Sequence, residues 1–186
     1  MNTAKQPFFF SFYNETIATH NSFPVLNKEG RPVFEILSME ANGYSREYIM
    51  VDKNHKVIYM IRSVLELAAG KQFSFFKKDW RPQVSIMSKE KIVAFTKEGQ
   101  QGVLKGKPLF LTKKGKFLLK SGPNPYQIQV LGSTGLALDF KVQASSSKRF
   151  LTRINSTSSP LLFLALAIGL SLADRDLTSE NGSTDY

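Results

Sequence analysis

From Phe8 to Ile154 the chain is a succession of short apolar stretches separated by turn residues, the pattern of an all-β sandwich or barrel. The period is clearest at Leu136, Leu138, Phe140 and Val142, which alternate with Ala137, Asp139, Lys141 and Gln143. In a strand the two sets point to opposite faces, one to a core and one to water. Tyr126, Ile128 and Val130 alternate with Gln127 and Gln129 in the same way, and Ser133-Thr134-Gly135 joins the two segments as a hairpin. Further hairpins are predicted at Asn27-Lys28-Glu29-Gly30 before Val33 to Ile36, at Asp52-Lys53-Asn54-His55 between Tyr48 to Val51 and Val57 to Ile61, and at Lys113-Lys114-Gly115 between Leu109 to Thr112 and Lys116 to Lys120. Gly30, Gly99, Gly115 and Gly135 fall where tight turns need a positive φ. Ser63-Val64-Leu65-Glu66 matches a helix capping box, so Leu65 to Ala69 reads either as a short helix or as strand. The aromatic run Phe8 to Tyr13 is shorter than the ~7 to 15 apolar residues of an export signal. It reads as a strand, and the protein is expected in the cytoplasm.

The C-terminal pattern is of another kind. After Pro160, the residues from Leu161 to Ala173 carry no charge, and only Gly169 and Ser171 interrupt the apolar run. Ser159 at the N-cap and Pro160 at the first helical position start a helix, predicted over about 160–173, and Asp174, Arg175 and Asp176 mark its end. At 1.5 Å per residue this helix reaches about 20 Å, short of the ~30 Å of a bilayer core. A helix apolar on all sides must be buried on all sides, and the remaining material is sheet. The expected architecture is one domain over residues 1–177, all-β, a closed antiparallel β-barrel of about twelve strands around a buried hydrophobic C-terminal helix. Residues 178–186 are expected to be a disordered polar tail.

Fluorescent-protein cans share a helix inside a barrel, but theirs lies mid-chain and carries a Tyr-Gly pair that this helix lacks. With its helix at the C-terminal end of the pattern, the chain instead resembles the tubby C-terminal-domain-like group, and within it the bacterial members. That group also includes the LURP-one-related proteins and the phospholipid scramblases. The resemblance rests on Phe23-Pro24-Val25-Leu26-Asn27-Lys28-Glu29-Gly30-Arg31-Pro32-Val33-Phe34-Glu35-Ile36, on Tyr48 to Ile61 with its central Asp52 turn, and on Ser159-Pro160-Leu161-Leu162-Phe163-Leu164-Ala165-Leu166-Ala167-Ile168-Gly169. It is a likeness of architecture over most of the chain, with no catalytic signature. What it implies is the barrel around a helix and, from members with known ligands, phosphoinositide binding by basic strand and loop residues.

Composition narrows the chemistry. With no cysteine, a disulfide, a thiol nucleophile and a thiolate metal site are excluded. His20 and His55 are the sole imidazoles, so neither a multi-histidine metal site nor a bound cofactor is expected. Asp52 and His55 stand three apart, as a base and its orienting partner can, but both are common turn residues and no serine motif accompanies them. Gly99-Gln100-Gln101-Gly102 and Gly102-Val103-Leu104-Lys105-Gly106 lack the lysine and helix of a phosphate loop. No enzyme is expected.

The net charge of +10 is concentrated: residues 71–153 hold 17 basic and 4 acidic groups, while residues 1–70 are neutral overall. Such a segment attracts phosphates on a membrane or a nucleic acid, or it only keeps the protein soluble. Two clusters stand out. Phe73, Phe75 and Phe76 lead into Lys77, Lys78, Trp80 and Arg81, cations beside the single tryptophan, a combination suited to a membrane interface or to stacking on single-stranded nucleic acid. The second contains Lys113, Lys114 and Lys116, with Lys105, Lys107 and Lys120 nearby; Lys116 and Lys120 share a strand face with Leu118, opposite Phe117 and Leu119, and that face reads as solvated. Lysines outnumber arginines 18 to 7, and the hydrated ammonium is less suited than guanidinium to reading bases. The expected function is therefore a non-enzymatic binding or scaffold module, touching anionic phospholipid headgroups or a protein partner. Nucleic-acid binding by the same basic face and a scramblase-like lipid-handling role are the alternatives.

Overall fold

The computed structural model describes residues 6–13, 22–39, 45–64, 83–98, 100–105, 107–123, 127–143, 149–155 and 159–173. The alternating segments form twelve strands: β1 (Phe8–Tyr13), β2 (Ser22–Asn27), β3 (Pro32–Met39), β4 (Ser45–Asp52), β5 (Val57–Val64), β6 (Gln83–Ser88), β7 (Lys91–Glu98), β8 (Pro108–Thr112), β9 (Gly115–Ser121), β10 (Gln127–Gly132), β11 (Gly135–Gln143) and β12 (Arg149–Ile154). A 3₁₀ turn (Gly102–Leu104) precedes β8, and one helix, α1 (Pro160–Ala173), follows β12. Each strand pairs antiparallel with its sequence neighbours, and β1 pairs with β12 from Phe8↔Ile154 to Tyr13↔Arg149, so the sheet closes into a barrel. Closure leaves no free edge, which removes the aggregation hazard of an open sheet. Ser63 and Val64 end β5 as strand; Leu65 to Ala69, Gly99, Tyr126, the expected helix terminus at 174–176 and the tail 178–186 lie outside the described residues.

Four register shifts disturb the simple alternation, each next to a tight turn: at Val25/Leu26, Met50/Val51, Ile86/Met87 and Val130/Leu131. An extra residue in one strand turns side chains to the wrong face. Ala137, expected on the water face, is buried for this reason, since Leu131 pairs with Leu136 and Val130 with Leu138. Gln127, also expected outside, is buried because its side-chain amide donates to the Asp139 carboxylate on the adjoining strand.

A closed barrel of about eight strands is just filled by its own side chains, so twelve leave a lumen. The helix, about 10 to 12 Å across, fills it. Every residue from Leu162 to Ser171 is buried, and α1 touches β4, β5, β6, β11 and β12, strands that lie on different sides of the barrel. No helix among the described residues is long and apolar enough to cross a membrane. The helix is not centred, however: it lies closest to β5 and β6. There Gly169 brings the helix backbone against the wall, and a Cβ on it would sit 2.5 Å from Val84 Cγ1 and 3.0 Å from Ile61 Cγ2. On the other side the gap is filled by Phe12, Phe23, Phe140 and Phe150, with ring centroids 5.0 Å apart for Phe12 and Phe150 and 5.6 Å for Phe140 and Phe150.

Two predictions follow from this packing. Gly169→Ala gains up to about 1 kcal/mol of helix propensity, but overpacking against Val84 costs about 1 to 3 kcal/mol. The variant should be destabilised in urea melts, and adding Val84→Ala should restore part of the loss; independent, additive effects would show that the close approach is not what selects glycine. Ending the chain at Ser158 removes several side chains worth about 1.5 to 3 kcal/mol each. That fragment should be insoluble or bind hydrophobic dyes without a cooperative melt, and a cooperative melt would show that the barrel holds without its helix.

Candidate functional site

The two ends of the barrel differ in construction. Short turns close the hairpins β2–β3, β4–β5, β6–β7, β8–β9 and β10–β11 at one end, and the other connections lie at the opposite end. β12 runs toward the tight-turn end, and there Asn155 donates from its backbone to the Ala137 carbonyl and from its side chain to the Leu136 carbonyl. That anchor directs the chain into the lumen. The Ser159 carbonyl then accepts from the Leu162 and Phe163 amides to open α1, with Pro160 at the position where a missing N–H costs nothing.

Two turns at this end share one device. Asn27 Oδ1 accepts from the amides of Glu29 and Arg31 at 3.1 and 2.9 Å, and Asp52 Oδ1 accepts from those of Asn54 and Lys56 at 2.9 and 3.0 Å. The fourth residue is left-handed in both, Gly30 at φ 76 and His55 at φ 57. Asp52 and His55 are therefore joined by a turn: the His55 amide donates to the Asp52 carbonyl, and the carboxylate is engaged by the backbone. Lys89 and Glu90 close β6–β7 with both residues left-handed, at φ 48 and 63, a conformation that Asn-Gly adopts at lower cost. In the β8–β9 turn Thr112 Oγ1 accepts from the Lys114 amide and donates to the Gly115 carbonyl.

These turns leave their long side chains to solvent. The β4–β5, β6–β7 and β8–β9 turns follow one another round the rim and present Lys53, Lys56, Lys89, Lys91, Lys113, Lys114 and Lys116, all exposed, against Asp52 and Glu90. Successive turns are two strand spacings apart, about 10 Å, close to the ~8 Å Debye length at physiological salt. Their fields overlap. Val57 and Ile92, more than half exposed, stand beside Lys56 and Lys91 on the same rim. Inside this arc lies a cleft of about 230 Å³, lined by Tyr59, Ser88 and Thr112 with Lys113 and Lys114, floored by Val93 and Phe117, and closed by Ser159, Leu162 and Phe163 of the helix entrance. Phe163 fixes the floor, its ring edge-on to Phe117 at 5.0 Å and to Phe110 at 5.8 Å. Burial pushes the Tyr59 phenol above its ordinary value of 10.0, so it is a protonated donor at neutral pH.

Of the residues nominated from sequence, Lys113 and Lys114 border the cleft and Lys116 points outward beside them; Lys77, Lys78, Trp80 and Arg81 lie outside the described residues. Sequence reasoning missed Lys53, Lys56, Lys89 and Lys91 as members of the same arc. No group of three His, Asp or Glu side chains placed to hold a metal occurs among the described residues. Compared with protein-family models, curated proteins and solved structures, the chain matches none.

The Asp52 turn has a pH signature. Its two backbone hydrogen bonds hold the carboxyl below the ordinary 3.8. The stabilisation is therefore complete above the ordinary value and is lost as pH falls through the lowered folded value. Asp52→Asn retains an Oδ1 acceptor without the charge, so the difference in urea midpoint between wild type and Asp52→Asn at pH 7 should shrink on acidification below about pH 4. A difference independent of pH would assign the effect to something other than the carboxylate.

Proposed function

We propose that the protein is a non-enzymatic binding or scaffold module that sets the tight-turn end of its barrel on anionic phospholipid headgroups, as a peripheral protein at the inner face of a membrane. The observation that carries this reading is the arc of seven lysines over three adjacent turns, interleaved with exposed Val57 and Ile92. Lysine meets headgroup phosphate as a point charge, and an apolar side chain next to it enters the interfacial region. The three turns carry no arginine and no Phe, Tyr or Trp, with His55 as their one ring, whereas stacking on or reading nucleic acid calls for such groups. The resemblance of Phe23 to Ile36 and of Ser159 to Gly169 to the tubby-like group supports the same reading, because phosphoinositide binding is what that group's liganded members do.

The test is position against net charge. Lys113→Glu/Lys114→Glu/Lys116→Glu should reduce co-sedimentation with vesicles containing phosphatidylserine on the order of a hundredfold, at about 1 kcal/mol for each cation lost near the surface. Lys97→Glu/Lys107→Glu/Lys141→Glu changes the net charge equally at exposed positions away from the tight turns and should lose far less. Equal losses would reduce the attraction to net charge. Stronger binding to oligonucleotides than to vesicles at the same salt would move the assignment to nucleic acid.

A further inference from the structure

The arc explains attraction to a surface, but it does not explain the cleft behind it. A face that only meets headgroups needs no recess, and this one reaches past the lysines to the first turn of the helix. Its lining joins the exposed Lys113 and Lys114 and the hydroxyls of Ser88, Thr112 and Tyr59 with the apolar Val93, Phe117, Leu162 and Phe163, the last two of which are buried. Among the described residues the Tyr59 hydroxyl has no hydrogen-bond partner, and none of those that line the cleft is a carboxylate. At about 230 Å³ it is below the ~300 to 1,000 Å³ of sites for drug-sized ligands, but larger than the ~150 Å³ apolar cavity that holds a benzene ring. Such a space suits an anion with a short apolar segment attached.

We infer that the cleft binds a single-chain phosphate amphiphile, with the phosphate on Lys113 and Lys114 and the first carbons of its chain against Phe117, Leu162 and Phe163. A phosphate monoester carries nearly two negative charges at neutral pH, matching the two adjacent ammonium groups, and its oxygens can accept from the Ser88 and Tyr59 hydroxyls, since that of Thr112 already donates to the Gly115 carbonyl. This deepens the headgroup reading and rests on it, because the same lysines serve both: the surface supplies the phosphate, and the cleft selects a chain.

Calorimetric titration of the full chain with inorganic phosphate and with butyl, hexyl, octyl and decyl phosphate, each below its micelle concentration, tests the inference. Affinity should rise about fourfold per methylene over the shorter chains and then level off as the cleft fills, with inorganic phosphate the weakest. Lys113→Glu/Lys114→Glu should abolish binding. Ser88→Phe, which fills part of the cleft, should flatten the dependence on chain length while leaving vesicle binding intact. Should Ser88→Phe lose its cooperative melt, the wild-type series and the lysine variant decide the matter. No gain with chain length, a gain that continues through decyl, or equal binding of octyl glucoside would overturn the inference. The two readings fail separately: chain-length selection without vesicle binding removes the membrane reading alone, and vesicle binding without chain-length selection removes the amphiphile site alone.

Discussion

An all-round apolar helix and a barrel too wide to fill itself each require the other. Leu162 to Leu170 present apolar atoms in every direction, so no single sheet face can cover them. The twelve-stranded wall encloses more volume than its inward side chains occupy. Insertion resolves both at once, and at close packing, because voids in an interior forfeit dispersion contacts and small misfits are felt. Gly169 on the β5–β6 side and the phenylalanine cluster on the β1–β2–β11–β12 side are the two halves of that fit. A helix pressed to one wall leaves more space opposite, and the four phenylalanines take up much of it, beside Val25, Leu138 and Ile154.

The same insertion creates the cleft. The helix can enter only where β12 ends, at the tight-turn end, and its first turn brings Ser159, Leu162 and Phe163 up to the inner faces of β5 to β9. There the space beside the entering helix is incompletely filled. The opening thus falls in the same sector as the three lysine-bearing turns. The recess and the charge have separate origins in the chain: one is a consequence of how the helix is accommodated, the other of which residues the turns carry.

Most of the architecture was legible because it rests on local periods. Strands with a period of two, Asn27, Asp52 and Gly135 turns, and the uncharged segment after Pro160 each announce themselves within a dozen residues. The hairpin at Lys89-Glu90 did not, since neither residue is a usual occupant of the left-handed conformation it adopts. Bulges were equally silent: nothing in the alternation of Leu136 to Phe140 says that Ala137 is the extra residue. The site was less legible than the fold for a topological reason. Linear charge counts placed the basic excess in residues 71–153 and found Lys113, Lys114 and Lys116, but they assigned no excess to the segment holding Lys53 and Lys56. A meander of short hairpins lines up turns at 52–57, 88–91 and 112–115 along one rim, and only the sheet's pairing brings turns that are about 25 to 35 residues apart in sequence side by side.

The division of labour within those turns bears on why they can carry so much like charge. In the Asp52 and Thr112 turns the backbone is held by the short side chain at the first position, through hydrogen bonds to the amides that follow. The lysines between take no part in those bonds through their ammonium groups, and their repulsion from turn to turn, across about 10 Å, is weakened by salt without being abolished. Folding therefore constrains the first residue of these two turns and leaves their charged positions free of that constraint. The Lys89-Glu90 turn has Ser88 at its first position but no such bond from it among the described residues, and it carries the cost in two left-handed residues. A turn selected only for stability would place Asn-Gly there. Keeping a cation at Lys89 at that cost continues the charge from Lys56 to Lys113 across the middle of the arc, where a gap would separate two weaker patches.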